Sequence, residues 1–351
     1  MDLIIVNYSM NPNSMVFSHQ SEIAFELAKL FDSVTVFTTE SNASLYPKNV
    51  QVVEVPWRRG SHFSNAVRVI RIILPFLINN RHSVVFTHMT DIHAALISPF
   101  TWLLKMHHVL WYAHAHNSPY LIWASFFVNR IASSTPGSCN LRINKEKIRF
   151  INQGVNVRHF PFILRNKYSI GKMLNYGRLD PSKNVDRLIE LIESLNGDDN
   201  SYKLDIYGAA MSSSSIEYLQ FCKASAQKSI QRGNVNFLNP IERRNLPKQT
   251  SHYGLFLNFF IGSLDKTLVE ATLMGLPVVT WNQEYCREFG TWSKGHASES
   301  INFIIDEIKA LQHISDDEYI REVYRRYELA KQNHSLDSWI IRLLAILNRE
   351  N

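Results

Sequence analysis

The sequence predicts an α/β protein made of two domains, each built on parallel sheet. Three observations carry this. The chain has 351 residues, room for two domains of ordinary size. Short apolar runs alternate with helical periodicities along most of its length. Residues 254–280 also spell out a complete strand–loop–helix–strand unit. Its apolar run, residues 254–260, reads as a buried strand, and Gly262-Ser263 turns the chain. Ser263 or Asp265 can cap a helix that opens with Lys266 and Thr267 and carries Leu268, Ala271 and Met274 on one side. Gly275 ends it and Pro277 starts the next strand. The loop before the helix lies at the carboxyl end of a parallel strand, where α/β sheets bind ligands and helix N–H groups suit phosphate. Glu270, one turn further in, could accept from a ribose hydroxyl pair, or be a solvated Glu on an ordinary helix.

Bulk properties narrow the class. Apolar content of 45% against 19% charge gives a globular chain with ample core. The net charge of +6 favours anionic partners without choosing among nucleotide diphosphates, lipid headgroups and nucleic acid. Cys139, Cys222 and Cys286 show no C-x-x-C spacing, which reads as a reduced, cytoplasmic protein without disulfide frame or zinc site. Met1-Asp2 leads straight into an apolar strand, so no signal peptide is expected. The most membrane-like run, residues 67–78, is broken by Arg68, Arg71 and Pro75.

In chain order, residues 3–7 read as a strand, residues 18–30 as a helix and residues 34–37 as the next strand. His19 falls at the junction of loop and helix. A strand at residues 50–55 leads to Trp57-Arg58-Arg59 and a helix over residues 62–80. That helix is either an amphipathic packing helix with a solvated basic side or, with Trp57, Phe63 and Arg58, Arg59, Arg68 and Arg71, a surface touching anionic membrane. Residues 84–87 form a strand that ends at His88, and a helix covers residues 91–105. Residues 109–112 form a buried strand, with His114 just past its carboxyl end and His116 beyond. Residues 148–151 close the first half, and residues 160–169 read as a linker.

The second half opens with a strand from Lys172 that ends in Gly177-Arg178-Leu179. Arg178 and Lys183 present fixed positive charge suited to a diphosphate, the Arg as a fork and the Lys as a point charge. A helix follows at residues 185–195, then a strand at residues 204–207 ending at Gly208. Residues 216–229 read as a helix, 235–239 as a strand, 241–249 as a short basic helix and 281–294 as a loop. Helices are expected over residues 301–312, 316–332 and 336–347.

The stretch S-L-D-K-T-L-V-E-A-T-L-M-G-L-P-V-V resembles the nucleotide-sugar motif of retaining glycosyltransferases of family 4, the glycosyl transferases group 1, which have the GT-B fold. That family usually has two glutamates here. Glu270 matches the second, and Gly262 stands in place of the first, as in a G-S-L-D-K subgroup. L-W-Y-A-H is similar to the subgroup's strand-end histidine motif, and G-R-L with Lys183 to its diphosphate motif. The resemblance implies a GT-B architecture, two Rossmann-like domains with parallel sheets facing across a cleft. It puts the acceptor-side domain at residues 1–160, with the helix 335–351 packing back on it, and the nucleotide-sugar domain at residues 170–334. It implies catalytic roles for His114, Arg178 and Lys183, and donor contacts from Gly177, Gly208, Gly262, Ser263, Leu264, Asp265, Lys266, Thr267 and Glu270. His19, His88 and His116 are acceptor-side candidates.

The function so implied is transfer of a sugar from a nucleotide-diphospho-sugar to a saccharide or lipid-linked acceptor with retention, in surface polysaccharide synthesis at the inner face of the cell membrane. No cofactor beyond the donor, no metal and no nucleic acid partner is expected. The sequence has no Asp-x-Asp, and its acidic pairs Asp198-Asp199 and Asp316-Asp317 lie in polar stretches away from these motifs. An epimerase-like nucleotide-sugar enzyme would need a pair of acid/base carboxylates that is not evident. A non-catalytic basic protein binding membrane or nucleic acid would explain the charge but not the joint occurrence of Arg178, Lys183 and Glu270.

Overall fold

The computed structural model describes residues 1–14, 17–42, 46–58, 60–197 and 201–349. The chain divides into two compact units, Met1–Asn152 with Leu336–Asn351, and Gln153–Ser335.

In the first unit β1 (Asp2–Met10), α1 (Ser18–Ala28), β2 (Ser33–Ser41), β3 (Val50–Glu54), α2 (His62–Asn79), β4 (Val84–His88), α3 (Asp91–Leu103), β5 (His108–Trp111), α4 (Pro119–Phe127), β6 (Arg130–Ser133) and β7 (Ile148–Phe150) follow one another. All seven strands are parallel, in the order β3-β2-β1-β4-β5-β6-β7. Successive side chains of a strand point to opposite faces, and both faces are covered. Thus Leu3 and Ile5 enter one apolar cluster while Ile4 and Val6 enter another.

The second unit runs β8 (Lys172–Arg178), α5 (Val185–Asn196), β9 (Lys203–Ala209), α6 (Ser213–Ser225), α7 (Gln227–Gln231), β10 (Val235–Leu238), α8 (Leu246–Gln249), β11 (Leu255–Asn258), α9 (Lys266–Leu273), β12 (Val278–Thr280), α10 (Gln283–Phe289), α11 (Ile301–His313) and α12 (Asp316–His334). Its five parallel strands are ordered β10-β9-β8-β11-β12. Leu255 and Leu257 pack on one side of this sheet and Phe256 on the other.

The last helix, α13 (Leu336–Leu347), belongs to the first unit. Trp339 is buried with its ring edge-on to Trp111 at 5.0 Å, and Arg342 Nε donates to the Ile151 carbonyl at 3.0 Å.

Several elements differ from the sequence expectation. The stretch 160–169, read as a linker, is packed: Phe160 is fully buried, and buried Arg165 donates to the Ser251 carbonyl at 2.7 Å. The stretch 281–294, read as a loop, contains α10, capped by the Asn282 side chain. The expected helix 241–249 is a 3-10 turn, Arg243–Asn245, joined to the short α8. Helix α4 and strand β6 had no counterpart in the sequence reading. Of the basic-aromatic stretch at 57–71, Arg59 lies outside the described residues, as do Asp198 and Asp199. Trp57 is half-buried with its ring 5.0 Å from that of His93, and Arg68 donates to the Pro56 carbonyl and Asn65 at 2.8 and 3.1 Å. Trp57 and Arg68 thus make contacts within the unit, while Arg58, Phe63 and Arg71 are exposed.

Candidate functional site

Strand order reverses between β8 and β11 in the second unit, and the carboxyl ends of these two strands carry most of the residues singled out above. Such a switch point opens a crevice for ligands. Arg178 ends β8 exposed, with no hydrogen-bond or ion-pair partner among the described residues. Lys183 follows in the next turn, held over the Phe260 ring at 4.4 Å and ion-paired with Asp265.

Side-chain amides fix the loop from β11 to α9. Asn184 donates to the Phe259 carbonyl at 2.9 Å, Asn282 to those of Phe260 and Ser263 at 3.0 Å, and Gln153 to that of Leu264 at 2.7 Å. The carbonyls are thereby tied back, whereas the N–H groups of Gly262, Ser263 and Leu264 meet no acceptor among the described residues. Gly262 takes a φ of 117°, a conformation that excludes most side chains and explains glycine here. Asp265 caps α9 by accepting from Thr267 N–H at 3.2 Å, and Asn258 donates to Asp265 and Thr267 at 2.9 and 3.1 Å. Burial alone would raise the Asp265 pKa. The Lys183 charge and hydrogen bonds from Lys183, Asn258 and Thr267 outweigh it and hold the carboxyl below its ordinary value.

Glu270 is buried one turn into α9, and its Oε1 is ion-paired with Arg243. Burial raises its pKa, opposed by the charges of Arg243 and Lys266. The Arg243 guanidinium in turn lies 5.3 Å from the centre of the Phe160 ring. Sequence reasoning missed Arg243. It sits 27 residues before Glu270 in a basic stretch with no recognisable motif, and only the fold brings the two together.

Gly208 pairs in register with Gly177. A Cβ at residue 208 would lie 2.2 Å from the Gly177 carbonyl oxygen and 2.7 Å from Leu179, so packing between strands demands glycine there. Ser263 and Leu264 are buried and Lys266 is the first residue of α9.

In the first unit the reversal falls between β1 and β4. His19, in the first turn of α1, and His88, at the end of β4, come together there with ring centres 5.8 Å apart. His88 is buried among Phe86, Trp111 and Trp339, which makes it part of an aromatic core. His114 and His116 are exposed in the irregular stretch after β5, with the His114 ring 5.5 Å from Tyr112.

Residues 163–295 match the family of glycosyl transferases group 1, and that span includes Arg178, Lys183 and Glu270. Among solved structures the chain is similar to a sucrose-phosphate synthase from Thermosynechococcus elongatus, at 12% identity and a TM-score of 0.75 over 99% of each chain. It is similar to Anabaena HepE in complex with UDP and glucose, at 16% identity and 0.73 over 99% of each chain. It is also similar to the lipopolysaccharide outer core galactosyltransferase WaaB in its apo form, at 13% identity and 0.69 over 99% of this chain and 100% of that one. No curated protein matches the chain. The fold is GT-B, two α/β units on parallel sheets, as the motif resemblance implied.

Proposed function

We propose that the protein is a glycosyltransferase that moves a sugar from a nucleotide-diphospho-sugar to a saccharide or lipid-linked acceptor. The observation that carries this reading is the set of side chains and N–H groups at the carboxyl ends of β8 and β11, where strand order reverses. There Arg178, without a partner among the described residues, ends β8, while Lys183 and the N–H groups of Gly262, Ser263 and Leu264, which meet no acceptor among the described residues, lie by the start of α9. An array of donors with two cations matches a diphosphate, and its pull strengthens as charge builds on the departing group. Glu270 then accepts from the ribose, with Arg243 fixing its orientation.

Retention of configuration, by attack on the face from which the diphosphate leaves, follows from the family resemblance and requires no protein nucleophile. It requires positioning and charge on the leaving group. The acceptor belongs to surface polysaccharide assembly at the inner face of the cell membrane. Transfer without a metal ion is part of this proposal: Asp265 offsets the Lys183 charge, so Arg178, the loop N–H groups and a helix N-terminus worth roughly half a charge meet the diphosphate.

The test is incubation with a panel of nucleotide sugars, read as slow release of nucleoside diphosphate. One donor hydrolysed well above the others supports the proposal, and release that persists after treatment with a chelator supports metal independence. A full panel without binding or hydrolysis overturns it.

A further inference from the structure

The positive charge of this chain is concentrated. Residues 55–150 hold eleven Lys and Arg against two acids, Asp91 and Glu146, a surplus of nine where the entire chain has six. The same stretch contains α4, a helix without a single charged side chain. Leu121, Ala124 and Ser125 bury one side of it, while Tyr120, Ile122, Trp123 and Phe126 stand exposed on the rest. A helix that is apolar all round is ordinarily covered all round, and this one is not.

The end of α3 extends the patch. Trp102 is 61% exposed and Leu103 70%, next to Trp123 at 52% and Phe126 at 55%. Phe127 links the two helices, with ring centres 6.1 Å from Trp102 and 5.1 Å from Trp123. Trp123 Nε1 donates to the Ala95 carbonyl at 3.2 Å, so the indole is fixed with half its surface outward.

Cations frame this ridge. Beside Trp102 a pocket of about 440 Å³ is lined by Lys105, His107, Arg130 and Arg349. Burial lowers the His107 pKa, and the nearby charges of Arg349 and Arg130 lower it further. Lys105, Arg130 and Arg349 form no ion pair among the described residues. At the far end of α4, Lys147 Nζ donates to the carbonyls of Ser125 and Phe126 at 2.8 and 3.1 Å.

We propose that this face of the first unit docks on an anionic bilayer. Trp102, Leu103, Trp123 and Phe126 enter the boundary between headgroups and acyl chains, and Lys105, Arg130 and Arg349 hold lipid phosphates. Indole rings suit that boundary as large amphipathic side chains, and the Trp123 N–H, already bonded to Ala95, needs no partner in the lipid. Unpaired cations around an apolar ridge complement a surface that is anionic above and hydrocarbon beneath. This places the contact on α3 and α4, whose exposed aromatic side chains are more numerous than those of the stretch 57–71, where Trp57 and Arg68 make internal contacts and Phe63 alone is an exposed aromatic. The inference stands on this surface alone and is independent of the sugar-transfer reading.

The test is co-sedimentation of the full chain with phosphatidylcholine vesicles, with and without phosphatidylglycerol. Binding is expected only with the anionic lipid and falls as salt rises. Reversal of Lys105 or Arg130 to Glu lowers the partition coefficient by roughly fivefold or more for each charge. The pair Trp123→Ser and Phe126→Ser, verified as folded by circular dichroism, abolishes most binding, whereas Arg58→Glu leaves it close to wild type. The two charge reversals decide the matter if the aromatic pair fails to fold. Absent binding, equal binding to both vesicle types, or binding indifferent to these changes overturns the proposal. So does a dimer in sedimentation velocity that the same aromatic changes dissolve, since a second copy then covers the face.

Discussion

Lys183 is ion-paired with Asp265, the residue whose other carboxylate oxygen caps helix α9. One side chain thus ties the turn after β8 to the first turn of the helix after β11. Asn at this position keeps the capping oxygen but replaces the oxygen that both Lys183 and Asn258 reach, so the ion pair and the Asn258 hydrogen bond are lost together. Asp265→Asn should lower stability by about 1.5–3 kcal/mol at neutral pH. The folded pKa of Asp265 lies below its ordinary 3.8, so its contribution is present above that value and disappears as pH falls through the folded one. Glu270 acts in the opposite sense: its raised pKa, owed chiefly to burial and in lesser part to the Asp265 charge, favours folding at low pH and offsets part of this change. The gap between wild type and variant should therefore close in acid. Urea unfolding at neutral pH and at about pH 3 checks this.

Arg178 and Lys183 separate catalysis from stability. Arg178 is exposed and unpartnered among the described residues, so Arg178→Ala should leave the melting temperature unchanged while turnover falls roughly a hundredfold. Lys183→Ala breaks the pair with Asp265 and should lower both. Arg178→Lys should recover only part of the rate, since the fork is lost. Full activity of Arg178→Ala at saturating donor would reduce that residue to surface decoration.

Glu270→Gln keeps the shape of a buried side chain but removes a charged acceptor. Nucleoside diphosphate affinity should weaken about tenfold in calorimetry. Arg243→Ala should weaken it as well, and the double variant should lose less than the sum, because the two side chains form one unit. Unchanged affinity in Glu270→Gln removes the ribose assignment.

His114 is exposed and lies beyond its strand, so its removal disturbs no core. His114→Ala should lose sugar transfer while melting and nucleoside diphosphate binding stay as in wild type. A lower melting temperature with transfer preserved identifies a structural histidine instead.

What could be read in advance depended on how local the signal was. The α9 unit was legible because its cap, apolar stripe and terminal glycine all lie within one short stretch, and the structure places helix Lys266–Leu273 there. The α4–β6 segment was not legible, since P-Y-L-I-W-A-S-F-F has no polar side to set a period. Helix α10 was hidden for the opposite reason, as Q-E-Y-C-R-E-F is too short and mixed to show one. Within the site, Arg178 and Lys183 belong to a contiguous motif. Arg243 depends on a partner 27 residues away, a relation without sequence period. Gly208 has a structural reason of its own, the close approach of two strands, which its place in the motif did not show.

The position of Trp339 imposes an order on assembly. Residues 1–152 leave the ribosome first, yet the face of their sheet around Phe86 and Trp111 is closed by a side chain that follows almost two hundred residues later. The intervening unit, Gln153–Ser335, contains its whole sheet and can complete its core in one uninterrupted passage. The half that emerges first is thus the half that finishes last, and its aromatic face is the surface a chaperone would meet on a nascent chain. Deletion of Leu336–Leu347 should leave nucleotide binding to the second unit intact and make the first unit prone to aggregation.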